Sequence, residues 1–265
     1  MRERIIRGIL VFALTACAIG LLACSQQGNT ASNQGPNYID DRAMSILARG
    51  FEKRSDYIKT NDTTSNNGLK AAVQIEIDND VELKTAQFED SKMQELVLSY
   101  LNSLDDQTAV LDNYRIGTAD YYTAWEKAYN NRSKIIKELV DEYGLTVGDQ
   151  YKDSFDELIA NGTNVANKEA SDQAINEMLN AASWEKEDLG YGNYRYTAII
   201  ENTTELDLKN VSIVLNLFDA DDIKTETFAN AQTWRQGEKV KFEAWGNGVD
   251  AARIEAIVQY YSIDS

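Results

Sequence analysis

The chain has 265 residues, a formal net charge of −17 at neutral pH, no histidine and a single proline, Pro36. So acidic a balance disfavours nucleic acid, whose binding rests on cationic contacts to phosphate, and disfavours lying flat on an anionic membrane. Without histidine the commonest general base and metal ligand is missing, so any catalysis would have to run on carboxylates, lysine or tyrosine.

Arg2, Arg4 and Arg7 form a cationic head, and Gly8 to Ala23 follow as 16 residues without a charge. That run is shorter than the roughly 20 residues a spanning helix needs. A cationic head, an apolar core and a small residue before a cysteine mark a processed export signal, with a retained membrane helix as the alternative. Leu21-Leu22-Ala23-Cys24 resembles the lipobox of a bacterial lipoprotein. The resemblance implies that residues 1–23 are a signal peptide, that the Cys24 thiol carries diacylglycerol, and that the mature chain is held on the extracytoplasmic side of the cell membrane. Two acyl chains anchor firmly where one binds only marginally. Leu14-Thr15-Ala16-Cys17 is a second acceptable lipobox, but its use would leave the apolar Ala18 to Leu22 directly after the anchor. With Cys17 removed and Cys24 acylated, neither a disulfide nor a thiol nucleophile remains. Residues 24–37, rich in Gln, Asn, Ser, Thr and Gly, read as a flexible tether.

From Tyr38 to Ala182 the apolar spacing is helical. Ile39, Ala43, Ile46, Leu47, Phe51, Tyr57 and Ile58 recur at three and four, with Asp40 and Asp41 favouring the helix dipole at the start. After the polar Asn61–Gly68 loop, a second helix is predicted over Leu69–Phe88 with Val73, Ile77, Val81, Lys84 and Phe88 on one stripe. Asp90 or Ser91 caps a third, running toward Tyr114. A fourth follows Gly117, carries the aromatic stripe Tyr121, Tyr122, Trp125 and Tyr129, and stops at Gly144. A short helix around Tyr151–Ile159 is predicted to close at Asn161-Gly162, and a last amphipathic segment spans Lys168–Ala182. The connections are short, as in an antiparallel bundle.

Near Trp184 the period changes to two. Tyr194–Glu201, Val211–Leu217, Ile223–Phe228, Glu238–Trp245 and Arg253–Ile263 alternate as strands, with turns between them. The predicted fold class is α+β in two parts: an N-terminal antiparallel helical bundle, residues 38–182, and a small C-terminal Ig-like β-sandwich, residues 191–265.

Ile200-Glu201-Asn202-Thr203-Thr204, Asn210-Val211, Leu215-Asn216-Leu217-Phe218-Asp219 and Gly237-Glu238-Lys239-Val240-Lys241-Phe242 follow the layout of the FxLYD domain. Leu215 stands where the motif has Phe, and Phe218 where it has Tyr. The upstream Phe51-Glu52-Lys53-Arg54, Phe88-Glu89-Asp90 and Asn131-Arg132 resemble the helical region of Gram-positive lipoproteins that carry this domain. The resemblance implies a β-sandwich in an envelope lipoprotein and no defined activity. Taken alone, the same residues make structural sense: Leu215 and Leu217 share a face, and Asp219 can bond the turn it opens.

Arg54 and Arg132 lie on apolar helical stripes, where a charge is costly unless paired. Each either meets an inward carboxylate, with Glu76 or Asp80 as the expected partners, or snorkels to the surface. Asp219-Ala220-Asp221-Asp222 lacks the spacing of a calcium loop and reads as a solvated hairpin turn, and Asp78-Asn79-Asp80 is similar but falls within the second predicted helix. Trp125 is expected in the core and Trp184 at the junction of the two parts. Trp234 and Trp245 lie near strand ends, where packing competes with exposure for contact. The expectation is a lipid-anchored binding or adaptor module with an envelope protein partner, without catalysis, cofactor or metal. The alternatives are a solute-receptor lipoprotein of a transporter and a carboxylate-dependent envelope hydrolase.

Overall fold

A computed structural model describes residues 37–263. The signal, Cys17, Cys24 and nearly all of the tether lie outside the described residues. The architecture is α+β: five helices, then two three-stranded antiparallel sheets.

The helices are α1 (Asp40–Thr60), α2 (Asn66–Asp80), α3 (Ser91–Asn113), α4 (Ala119–Tyr143) and α5 (Lys152–Ala181), each packed on its chain neighbour. Their ends are set by local chemistry. Ser65 accepts from the Gly68 N–H, Asp90 from the Lys92 and Met93 N–H groups, and Thr118 from that of Tyr121. Gly144 ends α4 at φ 66°, and the Leu145 N–H returns to the Leu139 carbonyl while its side chain enters the core. Asp40 does more than complement the α1 dipole. Its carboxylate accepts from the Glu89 and Asp90 N–H groups at 3.0 and 2.8 Å, fastening the start of α1 to the turn before α3.

The bounds of α2 and α5 differ from the sequence expectation. α2 ends at Asp80, and Val81–Lys84 tighten into a 3-10 turn that exposes Val81 and buries Leu83. Asn161-Gly162 does not stop a helix; α5 runs through it for 30 residues, about 45 Å. Gly162 is there because α5 crosses α4 closely: a Cβ at this position would lie 2.3 Å from the Ser133 carbonyl oxygen. The first part of α5 places Phe155 and Leu158 in the helical core, and its last part places Ile175 and Leu179 in the core of the sheets.

One sheet has the order β1 (Glu185–Gly190), β2 (Asn193–Glu201), β5 (Lys239–Asn247); the other has β4 (Lys224–Trp234), β3 (Leu208–Phe218), β6 (Arg253–Ile263). β1 begins ahead of the expected first strand. Tyr196, Ala198, Phe242 and Ala244 of the first sheet share a core with Ile213, Leu215, Leu217 and Ala256 of the second. Trp234 is buried in that core, edge-on to Phe242, and its indole N–H donates to the Ile200 carbonyl at 3.2 Å. Asn202, also buried, donates to the Leu206 and Trp234 carbonyls and accepts from the Thr204 N–H and hydroxyl. Exposed strand edges invite unwanted pairing; of the four edge strands, β1 and β6 carry contacts from outside their own sheets. Lys186 of β1 reaches back to Asp250 and the Ala251 carbonyl, and the Val258 N–H of β6 donates to Asn176 of α5 at 2.8 Å.

Helix propensity alone would make Gly162→Ala stabilising by about 1 kcal/mol. The clash with the Ser133 carbonyl reverses the sign, and urea denaturation is expected to show a loss of about 1–3 kcal/mol.

Candidate functional site

The densest ionisable chemistry among the described residues lies inside the helical core. α1 supplies Arg54, α2 Glu76 and Asp80, α3 Tyr100 and Gln107, and α4 Arg132, all of them buried. Glu76 and Asp80 are one turn apart and Tyr100 and Gln107 two turns apart, so each pair shares an inward helix face.

The structure brings both arginines to Glu76. Arg54 Nη1 donates to Glu76 Oε2 and to Gln107 Oε1, each at 2.9 Å. Arg132 Nη2 donates to Glu76 Oε1 at 2.8 Å, to Oε2 at 3.1 Å and to the Tyr100 hydroxyl oxygen at 3.0 Å. The Tyr100 hydroxyl in turn donates to Glu76 Oε1. Arg132 also sits over the Phe51 and Tyr100 rings, at 5.8 and 5.5 Å from their centroids.

Burial alone would push Glu76 toward the neutral acid. The two guanidinium charges and the Tyr100 hydrogen bond outweigh it, and its pKa lies below the ordinary range. Burial holds the Tyr100 hydroxyl far above its ordinary pKa, so it stays a donor. A carboxylate with lowered proton affinity and both oxygens engaged is a poor general base. The arrangement serves to hold four helices together.

Asp80 behaves differently. It forms no ion pair among the described residues; its Oδ1 accepts from Asn79 Nδ2 at 2.9 Å and its Oδ2 has no partner. The carboxyl group packs against the bare backbone of Gly50, where a Cβ would come within 2.6 Å. Burial, only partly offset by the Asn79 hydrogen bond, pushes its pKa up to about 8. At neutral pH Asp80 is therefore mostly the neutral acid, and the cluster keeps one net positive charge.

Tyr100 and Gln107 were not distinguished by sequence. Tyr100 reads as one more apolar stripe position; a glutamine seven residues later on that face was the available signal. The other sequence features are local. Asp219 accepts from the Asp221 and Ile223 N–H groups at 2.9 Å each, making a tight turn, and Asp78 accepts from Gln74. Among the described residues no group of three acidic or thiol side chains is arranged to hold a metal ion. Trp125 stacks on Tyr121 at the core margin, and Trp184 packs on the sheet core. Trp245 is half exposed, with Arg195 over its ring. A groove of about 750 Å³ is lined by Ala109 and Val110 of α3, Ala128, Asn131 and Lys134 of α4, and Val165 of α5.

No family model matches the chain, and no curated protein matches it. Among solved structures, it is similar to the alkylpurine DNA glycosylase AlkC of Pseudomonas fluorescens bound to DNA containing an abasic-site analogue. The identity is 9%, over 82% of this chain and 73% of that one, at a TM-score of 0.22. At that level the likeness bears on neither fold nor function.

Glu76→Gln leaves two buried guanidinium groups without a counter-charge. Thermal and urea unfolding should show a loss of about 3–5 kcal/mol; a loss below about 1 kcal/mol would mean that the pairing is not what holds these helices. Asp80 gives a pH signature of the opposite kind to a salt-bridged acid. Its folded-state pKa is raised from 3.8 to about 8, so its contribution is fully present below pH 3.8 and is lost as pH rises through 8. Asp80→Asn should remove that slope: compared by urea denaturation at about pH 4 and about pH 9, its advantage over the native chain should grow by a few kcal/mol toward the alkaline end.

Proposed function

We propose that the chain is a lipid-anchored, extracytoplasmic envelope protein that works as a binding or adaptor module. One observation carries the reading: the ionisable side chains that the fold gathers into a cluster are sealed from solvent, Arg54 at 7% exposure being the most open. What solvent meets is a set of faces and grooves suited to contact. The anchor is diacylglycerol on Cys24, on the strength of the Arg2–Cys24 pattern; among the described residues no helix is long and apolar enough to cross a membrane.

In this reading the sheets form an Ig-like sandwich of the FxLYD kind. Its support is the β3 stretch, where Leu215 and Leu217 face the core, Phe218 lies on the opposite face under Arg253, and Asp219 organises the turn. The 750 Å³ groove favours the second reading, a solute receptor serving a transporter.

Cell fractionation and in-cell crosslinking of the native chain and Cys24→Ala provide the test. The native chain is expected in the membrane fraction with one enriched protein partner, and Cys24→Ala in the soluble extracytoplasmic fraction without it. A Cys24→Ala chain that stays with the membrane contradicts the assignment of the anchor.

A further inference from the structure

The outer face of the β4–β3–β6 sheet departs from the usual polar exterior of a two-sheet fold. β3 turns Leu215 and Leu217 to the core, so Val214, Asn216 and Phe218 face outward. Register places Phe228 and Ile257 on either side of Val214, and Glu226 and Glu255 on either side of Asn216. The first row is apolar and open: Phe228 is 48% and Ile257 46% exposed, and Tyr260 continues the patch at 58%.

The second row consists of two carboxylates flanking the Asn216 side-chain amide. Lys224 holds Glu226 at 2.7 Å, and Arg253 pairs with Glu255 while also bonding Asp222. Neither reaches Asn216. That residue is 8% exposed, and its Oδ1 is buried without a donor. A buried acceptor left unmade is costly, and the chemistry that would satisfy it beside two carboxylates is a cationic N–H donor.

We propose that this face docks a basic, extended segment of a protein partner, its apolar side chain over Phe228, Val214 and Ile257 and its guanidinium or ammonium group at the Glu226–Asn216–Glu255 row. The proposal rests on the adaptor reading above and names the surface that performs it. The two rows are two residues apart along each strand, about 7 Å, which is the spacing of same-face side chains in an extended segment. An apolar residue followed two positions later by Arg or Lys therefore spans both rows. A small inorganic cation would leave the apolar row unused. An anionic membrane and a second copy of this chain are both disfavoured by the net charge of −17, and the second copy would also bring its own acceptor row.

The probes are three labelled nine-residue peptides offered to the purified full-length chain in detergent. One alternates Val and Lys, one has the same lysines in a contiguous block, and one alternates Val and Glu. The alternating basic peptide is expected to bind about tenfold tighter than the block peptide, with no binding of the acidic one. Phe228→Ser, and Glu226→Gln combined with Glu255→Gln, are each expected to remove that preference, whereas Tyr122→Ser on α4 leaves it intact. Equal binding of the two basic peptides, or a preference that survives both sets of substitutions, overturns the proposal. So does self-association that Phe228→Ser abolishes in sedimentation, which would give the face to a second copy. Because binding is read on the isolated chain, its failure leaves membrane anchoring and partner capture in cells standing, and their failure leaves the peptide result standing.

Discussion

The Glu76 carboxylate is shared by Arg54 and Arg132, and much of the helical part is arranged so that this sharing is possible. A guanidinium group in a packed core is tolerated only when its charge and its donors are met. Here one carboxylate from α2 meets two arginines, from α1 and α4. Tyr100 and Gln107 of α3 then take up part of the hydrogen-bonding capacity that remains, while Arg132 Nε and Gln107 Nε2 have no partner among the described residues. All four helices must hold their register for these distances to exist. A packing slipped by one turn would leave a buried guanidinium without its counter-ion, so the cluster discriminates against wrong packings as well as holding the right one. Gly50 belongs to the same arrangement, because only a bare Cα leaves room for the Asp80 carboxyl group beside the cluster.

α5 is the second constraint. A single continuous helix contributes Phe155 and Leu158 to one core and Ile175 and Leu179 to the other, so the sheets are tied to the bundle by a rigid element. The tie is reinforced where Asn176 satisfies the edge of β6. The same helix crosses α4 closely at Gly162, and its Val165 lines the groove together with Ala128 of α4.

How much of this could be read from sequence depends on whether the deciding interaction is local. Caps are local, and Asp90 and Gly144 announce their helix ends. Gly162 looks like a stop for the same local reason, but the deciding contact is the Ser133 carbonyl on another helix, which no spacing rule reveals. β1 carries alternate charges, is exposed along most of its length and buries no stripe, so periodicity has nothing to detect. Arg54 and Arg132 are conspicuous because a charge interrupts an apolar stripe. That both converge on Glu76, while Asp80 one turn away stands apart and neutral, depends on burial and on where Asn79 points, neither of which is encoded in spacing. The apolar row on the outer sheet face is not legible in the sequence, because Val214, Phe228 and Ile257 become neighbours only through strand register.

The buried charges of Arg54, Glu76 and Arg132 hold the bundle, and the proposed binding surface lies elsewhere. The decisive experiment replaces the network as a unit with apolar residues of similar size: Arg54→Met, Glu76→Leu, Tyr100→Phe, Gln107→Leu and Arg132→Met together. Whole-network replacements of this kind are often neutral or stabilising, because no charge is left unpaired. The expected result is a folded chain of undiminished stability that crosslinks in cells to whatever partner the native chain captures. A chain that folds as stably but no longer captures the partner would contradict it, and would make the cluster part of the binding site.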